Sequence, residues 1–251
     1  MEANKIIITG AATRMGAAIA KKLSGPGVEI VIHYNSSKSN AERLKKELNR
    51  NNTNVYLVKG DLSKEDDLKK ITKFAKSKLK YFDCLINNAS LFENDNLKNF
   101  TSKSWNDHLN INLKAPAYLT KEFAKNVRGK NNNIINIIDQ RVFKLTPFFF
   151  SYTLGKTGLY TLTKTSAMSL APNIRVNGIA PGPTIKNKRQ TDKHFKKQYL
   201  ATPLRHQVNI KEICNAVDFF IKNSSITGQV IAIDSGQSLN WQTPDIMNGK
   251  E

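Results

Sequence analysis

Tyr152 and Lys156 stand four residues apart at the start of a stretch, 151–171, with helical patterning. At that spacing two side chains share one face of a helix. An ammonium beside a phenol favours phenolate and draws the tyrosine down from about 10, which suits it to general acid–base work. Asp139 ends an apolar run thirteen residues earlier, where a carboxylate can accept a proton or pass one on. A second chemistry is written near the N-terminus, in Thr9-Gly10-Ala11-Ala12-Thr13-Arg14-Met15-Gly16. Gly10 permits a tight turn and Gly16 a close approach of helix to strand, so the free N–H groups of the helix start face a pyrophosphate. Arg14 replaces the middle glycine of the usual pattern, removing backbone access but adding a cation that can reach a phosphate directly.

These residues must be placed by the elements around them. Near-continuous apolar runs at 5–9, 28–33, 55–58, 83–87, 133–138, 174–179 and 229–233 read as strands of a parallel sheet covered on both faces. Between them, helical patterning falls at 14–24, 39–50, 64–79, 103–127, 151–171 and 210–223. Ser63-Lys64-Glu65-Asp66 has the look of a capped start, and Ile213, Ala216, Val217 and Phe220 form a core-facing stripe. The alternation predicts a single α/β domain over 1–251, a doubly wound (Rossmann) sheet of about seven parallel strands with helices on both faces. One stretch breaks the rhythm: 183–205, polar and basic after Pro181-Gly182, reads as a substrate loop.

The end of the second strand selects the cofactor. An NAD site places a carboxylate there for the ribose 2′-hydroxyl. Here the chain reads His33-Tyr34-Asn35-Ser36-Ser37, with hydroxyls and an amide that suit a 2′-phosphate, so NADP(H) is expected.

With these motifs assembled, the sequence resembles the short-chain dehydrogenase/reductase family over nearly its whole length. The matching elements are the Thr9–Gly16 loop, Asp61-Leu62, Asn87-Asn88-Ala89, Asn112, Tyr152 with Lys156, Pro181-Gly182 and the ending Asp234-Ser235-Gly236. The resemblance implies that Asp61 and Leu62 hold the adenine and that Asn88 and Ala89 line the nicotinamide ribose. It also implies that Lys156 binds that ribose and that Asn112 supports a proton relay through water. Members usually carry a serine where this chain has Asp139. That aspartate, Arg14, the His33-Tyr34 strand end and Ser90-Leu91-Phe92 resemble the pteridine reductase and dihydromonapterin reductase branch. In that branch the counterparts of Ser90 and Phe92 contact the pterin, Phe92 by stacking on the flat ring. The expected activity is NADPH-dependent reduction of a dihydropteridine or dihydrofolate, with Arg14, Ser90, Phe92, Asp139 and Tyr152 around the substrate. The alternatives are a 3-oxoacyl-(acyl-carrier-protein) type carbonyl reductase and a non-catalytic NADP(H)-binding regulator. The family's habit implies a homotetramer built through the helix that bears Tyr152.

Bulk properties narrow the class further. The 251 residues suffice for one sizeable core, and no apolar run approaches the ~20 residues a membrane span needs. No cleavage pattern of a secretory leader opens the chain, so a cytoplasmic location is expected. Cys84 and Cys214 lie far apart in apolar surroundings and read as small core residues, with no disulfide framework and no metal spacing. The net charge of +19 comes from lysines spread along the chain, and with no nucleic-acid module it reads as compositional.

Overall fold

The computed structural model of the chain describes residues 4–187 and 189–241. Seven strands form one parallel sheet in the order β3-β2-β1-β4-β5-β6-β7. They are β1 Lys5–Ile8, β2 Glu29–Tyr34, β3 Asn54–Lys59, β4 Cys84–Asn87, β5 Asn132–Ile137, β6 Ile174–Pro181 and β7 Val230–Ile233. The apolar runs form central parallel strands because both of their faces are covered. On one face Ile6 and Ile8 pack with Ile19, Val217 and Phe220, which belong to helices α1 (Arg14–Leu23) and α8 (Ile210–Lys222). Ile7, pointing the other way, packs with Ile71, Leu119 and Ala167. Those residues come from α3 (Glu65–Leu79), α5 (Ala115–Ala124) and α6 (Phe150–Leu170). Helix α2 spans Lys38–Asn49. Cys84 and Cys214 are free and buried, as expected.

Three local readings change. The stretch 103–127 is not one helix: α4 (Ser102–Leu109) runs into a π-helical turn, Asn110–Lys114, before α5 begins. Such a turn steps the apolar stripe by about one residue, a shift the sequence pattern does not announce, and it occurs frequently at functional sites. The start of α3 lacks the expected side-chain cap: Ser63 donates to Asp61 Oδ1 at 2.8 Å instead, and the acids Glu65, Asp66 and Asp67 face the helix terminus. Within 183–205 a regular helix, α7 (Asp192–Leu200), follows the irregular segment, and position 188 lies outside the described residues.

The strand order reverses between β1 and β4. At such a switch point the loops leaving neighbouring strands diverge and open a crevice at the carboxyl ends. Here the crevice is laced shut at its base. Thr9 Oγ1 accepts from the backbone N–H groups of Asn88 and Ala89, both at 3.0 Å. Asn88 Nδ2 donates back to the carbonyls of Thr9 at 2.9 Å and Gly10 at 3.1 Å. A Cβ on Gly16 would lie 2.5 Å from Asn88 Nδ2, so only glycine admits this lacing.

Candidate active site

A cleft of about 880 Å³ runs along the carboxyl ends of the strands. Gly10, Arg14, Met15 and Gly16 form one end, with Asn35, Asp61 and Leu62 beside them. Asn88, Ala89, Ser90 and Phe92 make a second wall, and Asp139, Tyr152 and Lys156 the floor opposite. Pro181 and Gly182 enter from β6 and lead into the basic loop.

Four expected cofactor contacts are not among the residues that line this cleft: His33, Tyr34, Ser36 and Ser37. His33 is buried, with Nδ1 accepting from the Gly10 N–H at 3.1 Å and Nε2 within 3.0 Å of the Gly60 carbonyl. Both ring nitrogens are thereby used, so the imidazole ties the glycine loop to the end of β3. Burial pushes its pKa down against the pull of the Gly60 carbonyl and of Asp67 and Asp61. Tyr34 packs against Ala12 and Ala41. Asn35 alone of this group reaches the cleft.

The helix α6 delivers Tyr152 and Lys156 to the floor as expected, but their coupling differs. The Tyr152 hydroxyl donates to Asp139 Oδ2 at 2.7 Å. Burial pushes the phenol well above its ordinary value, and the facing carboxylate pushes the same way. The anticipated lowering by Lys156 is overturned. That ammonium sits 5.8 Å from the Tyr152 ring centroid and donates to the Ile137 carbonyl at 2.8 Å. Its own burial lowers it to about 8, partly countered by Asp139.

Asp139 is fixed from its other side. Its Oδ1 accepts from the Arg141 N–H at 2.8 Å, and the Arg141 guanidinium lies 3.5 Å from the same oxygen. The guanidinium also covers the rings of Phe149 and Phe92, at 4.8 and 5.3 Å from their centroids. Phe92 and Phe149 are stacked at 4.3 Å and 6°, and Phe92 meets Tyr152 edge-on at 4.7 Å. One face of Phe92 is therefore taken by Phe149. Of the run Phe148-Phe149-Phe150, only Phe149 lines the cleft: Phe148 is exposed and Phe150 packs with Phe100 and Trp105.

Arg14 has backbone partners the sequence did not disclose. It lies at φ 55, the left-handed conformation a glycine there adopts freely, and its guanidinium donates to the carbonyls of Lys186 at 2.9 Å and Ile185 at 3.0 Å. From the loop, Arg189 pairs with Glu93 and donates to the Phe92 carbonyl. The segment after Gly182 is thus fastened to both rims. Asn112 lies in the π-helical turn, with Oδ1 accepting from Leu91 N and Ser90 Oγ, each at 3.0 Å, and Nδ2 donating to the Leu91 carbonyl at 3.0 Å.

Sequence reasoning missed Arg141 and Arg189, whereas the run Phe148-Phe149-Phe150 reads either as a wall of the substrate pocket or as packing, and Phe149 takes the first place. Arg141 had one local signal, an aspartate two positions before it that accepts its N–H as an N-cap does. Arg189 had none, because its partners lie 96 and 97 positions away.

Among the described residues no three ligating side chains gather to hold a metal, and no helix is long and apolar enough to cross a membrane. Residues 4–197 match the family model described as short chain dehydrogenase. The chain belongs to the short-chain dehydrogenase family. Its sevenfold parallel sheet and the cleft at the switch point are thus those of an oxidoreductase. This short-chain dehydrogenase superposes with a TM-score of 0.93 on the FolM alternative dihydrofolate reductase 1 of Brucella canis, a structure complexed with NADP. The two are 41% identical over 98% of each chain. The corresponding protein of Brucella suis, also in complex with NADP, gives 0.92 at 40% identity, covering 96% of this chain and 98% of that one. Among curated sequences, the 3-oxoacyl-(acyl-carrier-protein) reductase FabG of Buchnera aphidicola is 31% identical over 236 residues, 92% of this chain and 95% of its own length.

Proposed function

We propose that the protein reduces a dihydropteridine, a dihydrofolate included, to its tetrahydro form at the expense of NADPH. The observation that carries this reading is the 2.7 Å hydrogen bond from the Tyr152 hydroxyl to Asp139, at the place where a carbonyl reductase of the family carries serine. An alkoxide developing beside a fixed carboxylate would be repelled. A ring N–H, in contrast, is a natural donor to it. The likeness to two alternative dihydrofolate reductases at 41% and 40% identity supports the same reading.

The cleft fits a phosphorylated dinucleotide. Gly10 stands at φ 61 with Ala89 so close that a Cβ would meet it at 2.9 Å, which leaves the loop's backbone open toward the cleft. No carboxylate ends β2, where Asn35 borders the cleft. Gly10, Arg14, Met15 and Gly16 would hold the phosphates, Asp61 and Leu62 the adenine, and Asn88, Ala89, Ser90 and Lys156 the nicotinamide ribose. When bound, NADPH supplies the hydride to the carbon of the substrate C=N bond. Tyr152, held as the neutral phenol by burial and by Asp139, gives the proton to the adjacent nitrogen. Asp139, held by Arg141, orients the substrate through an N–H, while Lys156 replenishes Tyr152. Phe92, with Phe149 behind it, offers an aromatic wall for the flat ring. Assembly as a homotetramer belongs to this reading, supported by the exposed Leu154 and Met168 on α6.

A second reading has its own support in the 31% identity to a 3-oxoacyl-(acyl-carrier-protein) reductase. Steady-state assays with NADPH separate the two. Turnover of dihydrobiopterin, dihydromonapterin or dihydrofolate is expected. Reduction of an acetoacetyl thioester alone, lost in Tyr152→Phe, would establish the second reading in place of the first.

A further inference from the structure

Helix α6 carries the proposed proton donor, yet its own first turn is poorly made. Its N-cap, Phe149, sits at φ 58 and offers no side-chain acceptor to the free N–H groups of the helix start. The acceptors come from Asp95, 56 positions earlier and 4% exposed. Its Oδ1 accepts from Ser151 N at 3.0 Å and its Oδ2 from Ser151 Oγ at 2.6 Å. Its backbone carbonyl accepts from Phe150 N at 3.1 Å. Ser151 is the residue before Tyr152.

The same carboxylate reaches the opposite wall. Oδ2 also accepts from Ser104 Oγ at 3.1 Å, on the helix that runs into the turn bearing Asn112. Buried His108, from that helix, has Nδ1 4.0 Å from Asp95 Oδ2 and turns its ring edge toward Tyr152 at 6.2 Å. Its Nε2 accepts from the Glu93 N–H at 3.1 Å, which fixes the loop that presents Phe92. Because Nε2 is an acceptor, the neutral ring carries its proton on Nδ1, facing the carboxylate. At 4.0 Å that contact is not a hydrogen bond, so the buried anion joins the Tyr152 helix to the Asn112 helix through the two serines, and it lies where the α6 dipole favours negative charge.

We infer that Asp95 is a positioning residue for the reaction, standing in for the missing cap of α6 and setting where the Tyr152 hydroxyl meets Asp139. It touches neither cleft nor substrate in this arrangement and acts through Ser151 and Ser104. The inference rests on Tyr152 as proton donor, the part of the proposed function shared by both reductase readings, and is independent of which substrate is reduced.

The test compares Asp95→Ala, Asp95→Asn and Ser151→Ala with a control, Asn209→Ala, which removes the cap of α8 away from the cleft. Two quantities are read: kcat per NADPH-binding site, and the alkaline titration of Tyr152 from the tyrosinate absorbance of each protein minus its Tyr152→Phe partner. Asp95→Ala is expected to lower kcat about a hundredfold, as a displaced reacting group does, with KM changed far less. The Tyr152 titration should move down toward the ordinary phenol range as its bond to Asp139 loosens. Asp95→Asn should recover most of kcat, because an amide oxygen still receives Ser151 N–H and both serine hydroxyls can turn to accept. Asn209→Ala should lower thermal stability and leave both readouts unchanged. If Asp95→Ala does not fold, Ser151→Ala is read in its place and should lower kcat about tenfold with the same titration shift. An Asp95→Ala protein, or Ser151→Ala where it is read in its place, that keeps kcat per site within about twofold and leaves the titration unmoved overturns the inference, whatever its melting temperature. The titration needs no substrate, so inactivity of the wild type toward every pteridine and thioester would defeat the proposed function and still leave this inference testable.

Discussion

Lys156 and Tyr152 sit one helical turn apart, yet their polar ends serve different partners: Lys156 Nζ donates to the Ile137 carbonyl at 2.8 Å and the Tyr152 hydroxyl to Asp139 at 2.7 Å. The two groups are thereby driven in opposite directions, the phenol up and the ammonium down to about 8. At neutral pH the site starts with a protonated tyrosine and a lysine close to giving up its proton. Activity is then expected to follow the lysine. In the free enzyme kcat/KM should fall as pH rises through about 8, with no acid limb belonging to Tyr152. A profile that stays flat to about pH 10 would contradict this.

The same lysine gives folding a pH dependence of definite sign. Its pKa is about 8 in the folded protein, against an ordinary 10.5. Between those values the unfolded chain binds more protons, so this group makes the fold more stable as pH rises through the window. Lys156→Met should abolish that contribution. Urea denaturation of both proteins at pH values of about 7.5 and 9.5 measures it as a difference of differences, in which the remaining titrating groups cancel.

Asp139→Asn isolates the carboxylate charge. The amide is isosteric and keeps one acceptor, which can serve Arg141 N, while its NH2 group turns to the Tyr152 hydroxyl oxygen; burial still raises Tyr152, but the carboxylate's share of that push is removed. Turnover of a dihydropteridine should drop about a hundredfold, the scale of one acid–base group, with NADPH affinity unchanged. Asp139→Ser should show the same loss and gain whatever carbonyl reduction the scaffold permits. Equal pteridine turnover in all three proteins would remove Asp139 from the mechanism.

Arg14→Gly tests a residue with two opposed effects. Glycine relieves a left-handed conformation that costs an ordinary residue on the order of 1 kcal/mol, while the two carbonyl contacts to 185 and 186 disappear. The melting temperature should therefore move little. The dissociation constant for NADPH should rise about tenfold, as loss of one charge-assisted contact predicts, and amide exchange across 183–187 should quicken. Unchanged NADPH affinity would show that Arg14 serves the loop alone.

The sheet was legible because each strand is a short apolar run with both faces covered, a pattern the order of residues displays directly. The split of 103–127 was not, since one π-helical turn steps the apolar stripe by only about one residue within an otherwise helical pattern. In the site, residue types and chain positions identified Tyr152, Lys156 and Asp139, but spacing along a helix says nothing about which acceptor a long side chain will find. Lys156 had Ile137 within reach, and burial together with the facing Asp139 raises Tyr152 where a lowering was expected. His33 looked available at a strand end, whereas the Gly10 N–H and Gly60 carbonyl occupy both its nitrogens. Asp95 and Arg189 become visible only when distant segments are brought together.

The loop after Gly182 is held at the Arg14 rim through the carbonyls of Ile185 and Lys186, groups that every residue possesses. Its place over the cleft on that side is therefore indifferent to the side chains it carries. Substitution along this segment can recast what the cleft presents to a substrate while the segment keeps its location. A short-chain dehydrogenase fastened in this way can diverge in preference without first having to rebuild its architecture.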